Sequence, residues 1–81
     1  MGIFGDRRPE LIVKAAQDSY ARGALRFTPV MEWPRGVAGN TFSVDEWAET
    51  LQGVEAAGWE LMSWAVVPGK EPTAYPVFRR R

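Results

Sequence analysis

Cysteine and histidine are both missing from this 81-residue chain. Without cysteine no disulfide can staple a small fold. Without either residue a structural zinc site lacks its usual ligands. The same absences remove the common nucleophile–base pairs of covalent catalysis, and Ser19, Ser43 and Ser63 have no neighbouring base. No apolar run approaches the ~20 residues of a membrane span. Lysine is scarce: every basic residue except Lys14 and Lys70 is arginine. Formal net charge is zero, from 10 basic and 10 acidic residues, so the basic excess of a general polyanion binder is absent. No phosphate-binding loop or dinucleotide fingerprint occurs. The opening "MGIFGDRR" becomes charged too soon for a signal peptide, and Asp6 stands where a myristoylation motif wants Ser or Thr. Asp45 and Glu49, four apart, read as a solvated acidic face near a helix start rather than a cation grip. The expectation is a cytoplasmic, non-enzymatic chain with no catalytic residue, cofactor, metal or membrane partner.

What the chain does have is aromatic bulk: 4 Trp, 4 Phe and 2 Tyr. A chain of this length buries only roughly 60–65% of its unfolded surface, so its own core is marginal. With disulfides and zinc excluded, dense aromatic packing, oligomerisation or both must supply the stability.

Along the chain, residues 1–6 read as a loose arm with Ile3 and Phe4 as anchors. Asp6 suits a helix cap and Pro9 a first turn. Leu11, Ile12, Ala15, Ala16, Ser19 and Tyr20 follow helical spacing, and Gly23 supplies a stop, giving a helix over 7–22 with a thin apolar stripe. "ALRFTPVMEW" alternates, with Leu25, Phe27, Met31 and Trp33 on one side, and predicts a strand over 24–33. Pro29 inside it points to a sheet edge or a bulge. Residues 34–41 form a loop punctuated by Pro34, Gly36, Gly39 and Asn40.

The stretch "FSVDEWAETLQGVEAAGWELMSW" is the best organised. Ser43 three before Glu46 predicts a capping box, and Phe42 with Trp47 a hydrophobic staple. Val44, Trp47, Ala48, Leu51 and Val54 make one apolar face, and Gly58 a left-handed stop, for a helix over 44–57. Gly53 inside that helix implies close packing. Over 59–67, Trp59, Leu61, Ala65 and Val67 fall on one side and Glu60, Met62, Trp64 and Val66 on the other. Both sides are largely apolar, which predicts the central strand of the sheet. A turn at 68–72 leads to a last strand over 73–79, with Pro76 pointing to an edge. The expected fold is a single small α+β domain over 7–81, ordered α-β-α-β-β. It has a three-stranded sheet, with the second helix packed on its Leu61 face.

The order strand, amphipathic helix, Gly58-Trp59-Glu60-Leu61, strand, then Phe78-Arg79 resembles a small bacterial and phage family often called domain of unknown function four-one-seven-seven. The resemblance covers about residues 24–80. It implies a β-α-β-β layout and a bacterial or phage setting, and carries no activity.

For function, the residues point to a non-catalytic protein–protein interaction or assembly module, a homodimer or larger, or a binder of another protein. Met62, Trp64, Val66, Tyr75 and Trp33 are the expected partner-binding residues, since Trp and Tyr are enriched in binding hot spots. Met62, Trp64 and Val66 should need cover from the first helix or a twin subunit. One alternative is a nucleic-acid-associated accessory protein in which Arg79, Arg80 and Arg81, joined by Arg7 and Arg8, contact phosphates. Another is a small apolar ligand held at a dimer interface by Trp33, Trp64 and Tyr75.

Overall fold

In the computed structural model, which describes residues 9–38, 41 and 43–81, the elements run α1 (Pro9–Ala21), β1 (Arg26–Phe27), α2 (Asp45–Ala56), β2 (Trp59–Val67) and β3 (Thr73–Arg80). The α+β class and the α-β-α-β-β order are those the sequence implies. The arm, the Asp6 cap, the first residues of the expected helix 7–22 and the Phe42 side of the staple lie outside the described residues.

The sheet is antiparallel and its order is β1-β3-β2. This corrects the expectation that 59–67 is central: β3 holds the middle and β2 an edge. Pro76 therefore sits in the central strand, against the reading that placed it at an edge. The ladder explains how it is tolerated. Ala74 and Met31 exchange both backbone hydrogen bonds, each 2.9 Å. Backbone groups alternate sides along an antiparallel strand, so Pro76, two residues on, also faces β1. The register that pairs Phe27 with Phe78 and Met31 with Ala74, extended, sets Pro29 opposite Pro76. The two residues that cannot donate face each other, and neither spoils a bond to β2. The same gap cuts the expected strand 24–33 to the two residues of β1 and an isolated bridge at Met31.

The second correction concerns the faces of β2. Leu61 pairs with Phe78 but Ser63 pairs with Val77, so Met62 is the extra residue of a β-bulge. A one-residue insertion reverses the alternation beyond it. Trp59 and Leu61 before the bulge, and Trp64 and Val66 after it, all stand opposite the helix-facing series Arg80, Phe78, Pro76 and Ala74. Glu60, Ser63, Ala65 and Val67 stand opposite Arg79, Val77, Tyr75 and Thr73 on the other face. The simple two-sided reading of 59–67 is thus wrong: Trp64 and Leu61 share a face.

Both helices lie on that face, where α1 packs against α2 and α2 against β2. Neither covers the opposite face, so of the two covers considered for a second face, the first helix does not supply one. Ile12 and Ala16 of α1, Trp47 and Val54 of α2, Met31, Trp59, Ala74 and Phe78 form the buried core. Trp59 closes the corner between helices and sheet. Its ring meets Tyr20 edge-on at 5.6 Å and stacks near Phe27 at 5.8 Å, while Nε1–H donates to the Ala16 carbonyl at 2.9 Å. No buried side-chain polar atom among the described residues lacks a partner.

Helix α2 begins one residue later than expected. Val44 is its N-cap, and no side chain caps it. The Ser43 hydroxyl instead donates to Asp45 Oδ1 at 3.1 Å, so the anticipated capping box is not formed. The helix stop is as read. Gly58 has φ +109°, and the Ala57 and Gly58 amides bond back to Gly53 and Glu55. The close packing inferred at Gly53 is real, because a Cβ there would strike the Val13 side chain of α1. At Gly58 a Cβ would lie 2.5–2.9 Å from three atoms of the Tyr20 ring. Gly58→Ala combines that collision with a left-handed backbone, so urea titration should show a loss greater than ~1 kcal/mol.

Candidate functional site

The sheet has two unlike edges. The β1 edge is only two residues long with an isolated bridge at Met31, too short to template a further strand. The β2 edge is nine residues long, carries neither proline nor lysine, and bears one charge, Glu60. Residues 60–70 are all exposed. Among them Leu61 is 36%, Met62 47%, Trp64 43%, Val66 43% and Val67 54% exposed. A long, apolar, unpaired strand is the feature that natural sheets normally blunt. The outward backbone groups of β2 follow from the ladder. Ala74 faces β1, so Thr73, Tyr75 and Val77 face β2, and their partners Val67, Ala65 and Ser63 face inward. Trp64 and Val66 then direct both N–H and C=O outward, where no strand of the described chain meets them.

Trp64 is held in place from behind. Trp47 of α2 lies edge-on between two indoles, 5.8 Å from Trp64 and 5.5 Å from Trp33. Trp47 Nε1–H donates to the Glu32 carbonyl at 2.9 Å, and Trp33 Nε1–H to the Val37 carbonyl at 2.8 Å. Two anchored rings thus support a half-exposed third. Trp33 belongs to this support rather than to the open surface. Tyr75, 45% exposed, is on the opposite face of the sheet. The expected set of five therefore separates into Met62, Trp64 and Val66 on the β2 edge strand, Trp33 behind them and Tyr75 across the sheet. Within one chain, Tyr75 does not share the side of Trp33 and Trp64. Leu61 and Val67, also exposed, were not among the expected residues. Ala65, at the middle of the regular part of the edge, gives no compositional signal at all.

The three arginines at 79–81 do not form a free cluster. Arg79 Nε pairs with Glu60 Oε1 at 3.0 Å. Arg80 lies 3.8 Å over the Tyr20 ring and donates to the Ala24 carbonyl at 2.6 Å and the Tyr20 carbonyl at 3.1 Å. It thereby satisfies carbonyls at the end of α1 and beyond it, as a cation should at the negative helix end. Arg81 donates to the Glu55 and Trp59 carbonyls at 2.8 and 3.2 Å. Arg7 and Arg8 lie outside the described residues. Because two carbonyls and a ring depend on Arg80, Arg80→Ala should destabilise by about 1–3 kcal/mol in thermal or urea unfolding.

No group of three or more His, Cys, Asp or Glu among the described residues is arranged to hold a metal ion. No described helix is long and apolar enough to cross a membrane. No family model, curated protein or solved structure matches the chain.

Proposed function

We propose that this protein is a non-catalytic assembly module that associates with itself through strand β2. The observation that carries the reading is the exposure of β2 along its length, with Leu61, Met62, Trp64, Val66 and Val67 all at least one-third open. Burying such a strand is favourable twice over. It removes apolar area at roughly 25 cal/mol per Å², and it satisfies backbone groups otherwise left to water. The arginines at 79–81 favour a structural role over phosphate contact, since each is already engaged within the chain. Sedimentation equilibrium of the whole chain at micromolar concentration tests the proposal. The expected mass is at least twice the 9.1 kDa of one chain, and a single 9.1 kDa species overturns it.

A further inference from the structure

We infer that β2 pairs antiparallel with β2 of a second copy about a two-fold axis at Ala65, forming one continuous six-stranded sheet. The inference rests on the assembly reading above and specifies its geometry. The regular part of the edge is 63–67, because Met62 forms the bulge and disrupts the ladder there. Within it the outward-facing residues are Trp64 and Val66, one on each side of Ala65. An axis at Ala65 sets Trp64 of each copy opposite Val66 of the other. Their free N–H and C=O groups then complete two reciprocal pairs of hydrogen bonds. Their side chains, each 43% exposed on the helix face, meet across the join. Ala65 faces its own twin at a non-hydrogen-bonded position, where side chains come closest and alanine is the residue that fits most readily.

Two features select a second copy as the occupant. The first is closure. The combined sheet would run β1-β3-β2-β2-β3-β1, so both of its outer edges are the two-residue β1 strand. An isologous contact that leaves only such short edges stops at two chains. The second is charge. The only charged residue on the edge is Glu60, and antiparallel pairing keeps the two carboxylates at opposite ends of the join. Parallel pairing would set them side by side.

The absence of cysteine makes the test clean, since one substitution introduces the only thiol. Ala65→Cys and Tyr75→Cys, both at exposed positions of the open face, are oxidised mildly while folded and run without reductant. Across the join the 65 positions lie at roughly 4.5–5.5 Å, within disulfide reach. The 75 positions are three strand spacings apart, about 14 Å, and out of reach. Ala65→Cys should shift almost wholly to a covalent dimer and Tyr75→Cys should remain at 9.1 kDa. Equal cross-linking of both variants, or failure of Ala65→Cys in a chain that sediments as a dimer, overturns this pairing and leaves the assembly reading standing. A native chain that sediments as a monomer overturns both.

Discussion

Replacing Trp59 by alanine lowers the unfolding free energy by about 3–5 kcal/mol, read from urea titrations at one fixed protein concentration. That is most of the margin available to a domain of this size, whose total stability is of order 5–15 kcal/mol or less. The magnitude follows from what the indole does. It is fully buried, it contacts the Tyr20 and Phe27 rings, and its N–H satisfies a backbone carbonyl on α1. Truncation leaves a cavity where helix, sheet and the stop at Gly58 converge. It also removes the donor that the Ala16 carbonyl uses. Trp59→Phe separates these effects: most of the packing returns and the hydrogen bond does not, so about 1–2 kcal/mol of the loss should persist.

Replacing Val66 by lysine has the opposite profile. Stability of the isolated chain changes by less than ~1 kcal/mol, because the side chain is on an edge strand and nearly half exposed. Self-association weakens by at least about a hundredfold, since lysine on an edge opposes further pairing and its charge would be desolvated against Trp64 of the partner subunit. Sedimentation and urea unfolding of the same sample read both quantities. If Val66→Lys leaves association intact, β2 is not the contact strand.

The contrast between Trp59 and Val66 marks how far the sequence could be read. Helical spacing, the Gly58 stop and the close approach at Gly53 are local signals, and the structure has them where the periodicity places them. Helix α2 starts one residue late and without a side-chain cap: the Ser43 hydroxyl donates to the Asp45 carboxylate, and its oxygen accepts no backbone N–H, a choice of partner that spacing does not reveal. The strand order is not legible in the pattern of 59–67. An apolar pattern on both sides suggests burial on both sides, and here it marks an open strand instead. The position of Pro76 in the centre depends on its pairing opposite Pro29, a long-range register that neither proline announces by itself. The bulge at Met62 changes the faces most. Nothing in "WELMSW" requires an extra residue, yet inserting one turns Trp64 from the far face onto Trp47. The exposure anticipated for Met62, Trp64 and Val66 is present, although the surface is a sheet edge rather than a second sheet face.

The most direct test of the account is amide hydrogen exchange at Trp64 and Val66, followed by NMR as a function of protein concentration. If the β2 edge is where copies join, both amides are protected at micromolar concentration and above, nearly as well as those of β3. Their protection then fades together on dilution while β3 stays protected. Exchange at open-chain rates at every concentration, in a chain whose β3 amides remain protected, would contradict it.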